Sequence, residues 1–261
     1  MKIAVLGLGE AGSLIAKGLA DQGADVVGFD PAKIKYPPVP TMETVAEAVA
    51  DADVVLSINS ANASLKVATD AASHLKTGAL YCDLNTGTPS LKERLSSLLP
   101  TGSFVDVAVM KPVPGLAEKV PMSISGPGAA KLLETFSNLD LNLSYVSDKP
   151  GEAAARKLLR SIFAKGMAAL VIDYLWAAKE MGLENWALEE VMNEFDTSNR
   201  NTVTRYLNGT AKHAKRRSIE MADVVAMLAE VGYDSTMVAP IELTLNKVIH
   251  SKKIPFAKLE D

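Results

Sequence analysis

Three glycines near the start of the chain have the spacing of a phosphate-binding turn. Gly7, Gly9 and Gly12 stand in the stretch Gly-Leu-Gly-Glu-Ala-Gly, directly after the apolar run Ile3 to Leu6. The first glycine permits a tight turn, the second lets a phosphate approach the backbone, and the third lets the next helix pack closely on the strand. The N-terminus of that helix then presents free N–H groups and a positive dipole end to the anion.

An acidic residue completes this pattern. Asp30 lies twenty-one positions after Gly9 and follows a second apolar run, Asp25 to Phe29, which comes after a predicted helix from Ser13 to Gln22. A strand, a glycine turn, a helix, a strand and an acid in this order form the fingerprint of a dinucleotide-binding fold. The alternative, a turn of the same shape with no cofactor, explains fewer of these features. The predicted cofactor contacts are Gly7, Leu8, Gly9, Glu10, Ala11, Gly12 and Asp30.

The charge of Asp30 predicts which dinucleotide binds. A carboxylate at this position accepts hydrogen bonds from a ribose 2′-hydroxyl and repels a 2′-phosphate, so we predict NAD as the cofactor. NADP remains an alternative, because Lys33 and Lys35 in the following loop could reach a 2′-phosphate.

Polar residues follow two later predicted strands. Asn59 comes after the apolar run 53–58, and Asn85 and Thr86 come shortly after the run 79–82. Ligands of open α/β sheets bind at the carboxyl ends of the strands. We therefore predict that these three residues contact the nicotinamide half of the cofactor. For each residue taken alone, an ordinary turn-forming role explains its type equally well.

The composition excludes several classes of function. The chain has 261 residues and a net charge of −4, which gives no general attraction to nucleic acid or to an anionic membrane. Apolar runs are too short to span a bilayer, and Glu10 and Lys17 interrupt the apolar start, so we expect no secretory signal. Cys82 is the only cysteine and is predicted to be a core residue, which fits the reducing cytoplasm. We predict no metal site.

The order of the predicted elements divides the chain in two. Strand and helix patterns alternate over residues 1–149, which predicts an α/β Rossmann domain with a parallel sheet and helices on both faces. Thr41 is predicted to cap a helix that ends at Ala50. Residues 150–261 are predicted to form an all-α domain for substrate binding and dimerisation, built on one long interdomain helix from about Gly151 to Met181. Its spare apolar faces predict a homodimer.

The predicted long helix carries a stripe of cationic residues. Lys157, Arg160, Ser161 and Lys165 follow spacings of three and four, so they share one face. Surface helices commonly mix both signs of charge, but this stripe has no acid. The stripe faces either a bound anion or solvent, and its residues alone do not decide between the two.

The chain resembles the β-hydroxyacid dehydrogenase and 6-phosphogluconate dehydrogenase superfamily over its whole length. It is most similar to a short, 6-phosphogluconate-dehydrogenase-like branch with its own type of C-terminal domain. The matching stretches are the glycine turn with Asp30, residues 83–89 for the motif D-x-S-T-x-x-P, residues 104–109 for F-x-D-A-P-V, and residues 151–161 for the G-x-x-x-K helix. The combination is specific, although each motif alone is loose.

The resemblance implies roles for residues at matching positions. Lys157 matches the catalytic lysine of the superfamily. Arg160 and Ser161 stand where that helix has a pair of asparagines. Met110 and Lys111, followed by proline, replace the usual Ser-Gly-Gly turn, so the usual substrates need not apply. The branch also implies substrate contacts from the basic stretch 213–217, through His213 and Arg216.

These roles predict a hydride transfer between a nicotinamide cofactor and a small hydroxy acid or its keto counterpart. Lys157 is the expected general acid and base for the alcohol proton. Because proline has no N–H group, we expect Lys111 and Arg160 to hold an anionic substrate through side-chain charge. One alternative is an imine reductase, although imine reductases generally lack this lysine. The other is a dinucleotide-binding protein without catalysis.

Overall fold

Seven strands form a single sheet in the computed structural model, which describes residues 1–32, 37–60, 62–251 and 254–257. The strand order is β2-β1-β3-β4-β5-β6-β7. Lys33 and Lys35 lie outside the described residues. The strands are β1 (Lys2–Leu6), β2 (Asp25–Phe29), β3 (Val54–Ser57), β4 (Leu80–Asp83), β5 (Phe104–Val109), β6 (Met122–Ser125) and β7 (Leu143–Ser147).

Neighbouring strands are parallel except for one pair. Strand β6 runs antiparallel to β5, so the prediction of a parallel sheet is wrong at this position. A parallel neighbour needs a long crossover, usually a helix. The connection from β5 to β6 contains only a short 3₁₀ turn, Ala117–Lys119, and the chain therefore returns beside β5 in the opposite direction.

Helices cover both faces of the sheet, as the sequence predicts. Alternate residues of each strand point to opposite faces. Ile3 and Val5 pack in one apolar cluster, and Ala4 and Leu6 pack in the other. The helices α1 and α5 contribute to the first cluster, and α2, α3 and α4 contribute to the second. These helices are α1 (Glu10–Asp21), α2 (Val45–Val49), α3 (Ser64–Ala72), α4 (Pro89–Leu98) and α5 (Ala129–Thr135).

Helix α2 begins one turn later than the sequence predicts. The capping residue is Thr44, whose hydroxyl accepts a hydrogen bond from the Glu47 N–H at 3.1 Å. Thr41 instead forms an isolated parallel bridge with Gly28. Because that bridge keeps the backbone of Thr41 beside β2, the helix cannot begin there, and the predicted Thr41 cap is wrong.

After β7, the part of the chain that the structure describes contains helices and no further strand. They are α6 (Glu152–Glu180), α7 (Glu184–Thr197), α8 (Arg200–Glu230) and α9 (Val238–Ser251). A kink at His213 (φ −122°, ψ 19°) interrupts helix α8. Within the described ranges, no helix combines the length and apolar character needed to cross a membrane.

The contacts divide the chain into two units. The sheet unit is Met1–Ser161, and the helical unit is Ile162–Asp261. The sheet unit therefore includes the first ten residues of α6, whereas the boundary predicted from the sequence lies at residue 149.

Candidate functional site

The glycine turn joins β1 to α1 in the way its sequence predicts. Gly7 has a φ of +104°, and a Cβ there would lie 2.2 Å from the carbonyl oxygen of Ile58. A Cβ at Gly12 would lie 1.9 Å from the Gly7 oxygen, so both positions require glycine. At Gly9, by contrast, a Cβ would meet no atom within 4 Å. The backbone of Gly9 is therefore open to a ligand.

This turn fits the pyrophosphate of a dinucleotide. Gly9 is the N-cap of α1 and has no side chain to accept a hydrogen bond from the first turn of the helix. The N–H groups of that turn are therefore available to an anion. Glu10 and Ala11 begin the helix, and Leu8 is buried against Gly28.

Asp30 is fixed beside the turn by backbone donors. One carboxylate oxygen accepts from the Leu8 N–H at 2.7 Å, and the other accepts from the Ala32 N–H at 2.8 Å. Each carboxylate oxygen retains capacity for a further donor. The acid thus stands at the end of β2 as predicted, with a geometry that suits ribose hydroxyls.

The predicted amides meet at the ends of β3 and β4. The side-chain N–H₂ group of Asn85 donates to Asp83 Oδ1 at 2.6 Å and to Asn59 Oδ1 at 3.2 Å, and Asn59 donates to Ser57 Oγ at 3.0 Å. Because the carboxylate of Asp83 takes the amide N–H, the Oδ1 atom of Asn85 points elsewhere. This buried oxygen has no hydrogen-bond donor among the described residues.

A buried ammonium lies beneath these amides. The Nζ atom of Lys92, on α4, donates to Asp83 Oδ2 at 2.6 Å, to the Asp83 carbonyl at 3.0 Å and to the Asn85 carbonyl at 2.8 Å. The Oδ1 atom of Asp106, on β5, lies 3.0 Å from the same ammonium. The side chains of all three charged residues are at most 1% exposed.

Burial is the largest influence on the pKa of the Asp83 carboxyl. It raises the pKa of the Asp83 carboxyl above its ordinary value. The charge of Lys92 and the hydrogen bonds from Lys92 and Asn85 lower that pKa, but they offset only part of the effect of burial.

The first turn of α6 is attached to the same strand ends. The Ala154 N–H donates to Asp106 Oδ2 at 2.9 Å, and the Ala153 N–H donates to Ser125 Oγ at 3.0 Å. Lys157 follows one turn later. It lines a cleft that leaves no room for a water molecule, here called the strand-end pocket, formed by Asn85, Thr86, Gly87, Asp106, Val107, Ala108, Ala154 and Lys157. The structure thus brings the predicted catalytic lysine together with two of the three residues predicted to contact the nicotinamide.

The remaining predicted substrate residues lie in both units. Met110 is half-buried and Lys111 is exposed, directly after β5. On α6, Arg160 is exposed and Ser161 is half-buried. His213 and Arg216 belong to the helical unit, and their part in a shared site stays a prediction. His213 is exposed at the kink of α8, and Arg216 pairs with Glu220 at 3.5 Å.

The charged residues beneath the site were not predicted from the sequence. Asp83 and Asp106 each lie in an apolar strand, where a charge needs a partner. Lys92 lies three residues before Leu95, and both side chains are buried on the same face of α4. A lysine on the apolar face of a helix, together with carboxylates in two adjacent strands, is the signal that predicts an internal ion cluster.

Comparison with protein families gives two matches along the chain. Residues 2–137 match the NAD binding domain of 6-phosphogluconate dehydrogenase. Residues 178–248 match a domain of unknown function, DUF1932.

Solved structures agree with this division. A conserved hypothetical protein from Sinorhizobium meliloti 1021 is 32% identical, with 99% of this chain and 91% of that chain covered and a TM-score of 0.63. A conserved protein described as similar to 3-hydroxyacid dehydrogenases is 28% identical, with 97% and 98% covered and a TM-score of 0.64.

The fold also extends to imine reductases. A variant of the enzyme from Myxococcus stipitatus, in complex with NAD⁺, is 15% identical, with 96% of this chain and 94% of that chain covered and a TM-score of 0.80. The same enzyme in complex with NADP⁺ gives a TM-score of 0.76 at 15% identity, with 96% and 95% covered. At this identity the likeness concerns the fold alone.

Proposed function

Because the chain belongs to the family of the NAD binding domain of 6-phosphogluconate dehydrogenase, we propose that it is an NAD(P)-dependent oxidoreductase acting on a small hydroxy acid or its keto counterpart. The observation that carries this proposal is the strand-end pocket, where Lys157 lies beside Asn85 and Thr86. Ligands of such folds bind at the carboxyl ends of the parallel strands, so a basic side chain at this edge can act on a bound substrate.

Lys157 moves the proton in this mechanism. In the oxidation direction its amine takes the proton of the substrate hydroxyl, and in the reduction direction its ammonium gives a proton to the carbonyl oxygen. The ammonium form also stabilises the developing alkoxide. The cofactor, when bound, supplies or accepts the hydride.

The chain's other residues bind and orient the reactants. The N–H groups at the start of α1 hold the pyrophosphate, and Asp30 holds the ribose. Asn85 Oδ1 is an acceptor suited to the carboxamide N–H₂ of the nicotinamide, and Asn59 and Thr86 complete that part of the site. Lys111 and Arg160 supply cationic side chains for the anionic group of the substrate.

Replacement of Lys157 tests the mechanism. Lys157→Ala is expected to lower kcat about a hundredfold or more and to change the affinity for reduced cofactor less than twofold. The assay is oxidation of the reduced cofactor across a panel of small keto acids. Lys66→Ala, a matched change of an exposed lysine on α3, is the control.

Near-full activity of Lys157→Ala on the best keto acid would contradict the role of the lysine. Turnover of cyclic imines without turnover of any keto acid would favour an imine reductase. Cofactor binding without turnover of either class would favour a binding protein.

The preference for NAD rests on Asp30. Its carboxylate accepts from the Leu8 and Ala32 N–H groups, and its negative charge would repel a 2′-phosphate. Fluorescence titration with NADH and NADPH measures the preference, and we expect NADH to bind more tightly. Tenfold tighter binding of NADPH, about 1.4 kcal/mol, would contradict this assignment.

We also propose a homodimer in the cytoplasm. Large apolar side chains of the helical unit are more than half exposed in the single chain, among them Ile162, Phe163, Trp176, Trp186 and Leu243. Exposed apolar surface of this extent marks an interaction site. Sedimentation velocity at micromolar concentration is expected to give twice the mass of the chain, and a monomer would contradict the proposal.

A further inference from the structure

We propose that Asp106, held in place by Lys92, is a positioning residue for Lys157. Its carboxylate fixes the first turn of α6 and thereby the place of the lysine in the strand-end pocket. This inference rests on the proposed role of Lys157 as the general acid and base.

Two side chains of the sheet bind the start of α6. The N-terminal N–H groups of a helix have no partner within the helix. The Asp106 carboxylate accepts from the Ala154 N–H at 2.9 Å, and the Ser125 hydroxyl oxygen accepts from the Ala153 N–H at 3.0 Å. A carboxylate at this end also interacts favourably with the helix dipole. The first turn is therefore fixed by β5 and β6.

Lys92 and Ser125 both lie against the Asp106 carboxylate. The Lys92 ammonium lies 3.0 Å from Asp106 Oδ1, and the Ser125 hydroxyl donates at 3.3 Å to Oδ2, the oxygen that also accepts from the Ala154 N–H. The same ammonium donates to the Asn85 carbonyl at 2.8 Å. One buried cation thus fixes two walls of the strand-end pocket, the Asn85 segment and the first turn of α6.

The position of the first turn of α6 determines the position of Lys157. Residues three positions apart lie on the same face of a helix, so Lys157 lies above Ala154. Both residues line the strand-end pocket together with Asp106. A displacement of about 1 Å in a reacting group can cost about a hundredfold in rate. A small movement of the first turn would therefore reduce proton transfer without altering the glycine turn.

The test compares Asp106→Asn, which keeps the size of the side chain, with Asp70→Asn on the surface of α3. For Asp106→Asn we expect kcat to fall about tenfold or more, with KM and the NADH dissociation constant within about twofold of the parent. We also expect amide hydrogen exchange at Ala153 and Ala154 to become about tenfold faster, because that turn opens more often. Asp70→Asn should change none of these quantities.

A second readout follows the lysine directly. Reductive methylation with ¹³C-formaldehyde labels the lysines, and Lys157→Arg identifies the Lys157 signal in the NMR spectrum. In Asp106→Asn that signal should move towards the shifts of the exposed lysines. A purely structural role of Asp106 would lower the unfolding temperature but leave kcat and the Lys157 signal of the folded protein unchanged, which would overturn the proposal.

The hydrogen-exchange and NMR measurements need no substrate. They therefore test whether Asp106 positions Lys157 even if Lys157→Ala shows that the proposed function is wrong. If Asp106→Asn does not fold, Ser125→Ala decides, because it keeps the Asp106 carboxylate and removes the hydroxyl that accepts from the Ala153 N–H and donates to Asp106 Oδ2 at 3.3 Å. It should accelerate exchange at Ala153 about threefold. Unchanged exchange in that variant would also overturn the proposal.

Discussion

Asp83 in the sheet unit and Asp173 in the helical unit are both buried carboxylates, 1% and 5% exposed, but their partners differ. Asp83 is paired with the ammonium of Lys92 and shares it with Asp106. Among the residues that the structure describes, every hydrogen-bond donor to Asp173 is neutral. It accepts from the Tyr233 hydroxyl at 2.8 Å, the Ser235 hydroxyl at 2.5 Å and the Thr236 N–H at 3.4 Å.

The pKa values of the two carboxyls are shifted in opposite directions. Burial raises the pKa of Asp83, and the nearby ammonium offsets only part of that rise. Burial also acts to raise the pKa of Asp173, but the hydrogen bonds from Ser235, Tyr233 and the backbone together exceed it and lower the pKa. Asp83 lies deeper, so its burial costs more than the Lys92 ammonium and the Asn85 amide recover, whereas at Asp173 the neutral donors outweigh the smaller effect of burial.

Removal of the shared cation is expected to have the largest effect. Lys92→Met leaves two buried carboxylates without a counter-charge and should lower the free energy of unfolding by about 3–5 kcal/mol. Urea denaturation followed by circular dichroism measures this loss. The double variant Lys92→Met with Asp83→Asn removes one of the uncompensated charges. It should therefore recover part of the unfolding free energy that Lys92→Met loses. A loss below about 1 kcal/mol in Lys92→Met would show that the carboxylates are not held by this ammonium.

Removal of Asp173 is expected to cost less, because its donors are neutral. Asp173→Ala should lower the free energy of unfolding by about 1–3 kcal/mol, the cost of leaving buried donors without an acceptor. Both tryptophans, Trp176 and Trp186, lie in the helical unit, so their fluorescence reports its unfolding. The Asp173→Asn variant keeps one acceptor oxygen, so its free energy of unfolding should fall less than that of Asp173→Ala. A cost equal to that of Lys92→Met would remove the distinction between the two sites.

The pH dependence of stability should have opposite signs at the two sites. The unfolded pKa of an aspartate is about 3.9. Asp173, with a lowered folded pKa, stabilises the protein above that value, and this contribution is lost as the pH falls through the folded pKa. The contribution of Asp83, with a raised folded pKa, is complete below the unfolded value and is lost as the pH rises through the folded pKa.

Asparagine variants measure these signs. The difference in unfolding free energy between the parent and Asp173→Asn should shrink as the pH falls below about 4. The parent should lose stability relative to Asp83→Asn as the pH rises from about 4. Parallel pH profiles for the two variants would contradict the comparison.

An exposed ion pair should show the smallest effect. Lys66 pairs with Asp70 on α3, and its side chain is 79% exposed. Lys66→Met should change the free energy of unfolding by less than about 0.5 kcal/mol, because solvent screens the pair. Urea denaturation measures this change. Added salt should reduce it further, because salt screens an exposed ion pair. A cost comparable with that of Lys92→Met would show that burial is not the cause of the larger effect.

The sequence alone determined the local features of this protein. Gly7, Gly9 and Gly12 predict the turn because backbone conformation and close approach depend on the residue type at each position. The strands of the sheet unit follow from short apolar runs, and the α/β order follows from their alternation with helical patterns. The position of Asp30 was predictable for the same reason, since the spacing of one βαβ unit fixes it.

Tertiary structure decided the features that depend on contacts distant in sequence. Thr44 caps α2 because the bridge between Thr41 and Gly28 keeps the earlier residues extended, and no local signal contains that bridge. Strand β6 is antiparallel because of the short path from β5. The sequence places Lys92, Asp83 and Asp106 within apolar patterns, but it does not say which of these charges pair. They become one cluster because packing of α4 on the sheet excludes water from all three, and a buried charge must then find its partner among residues that the fold brings together.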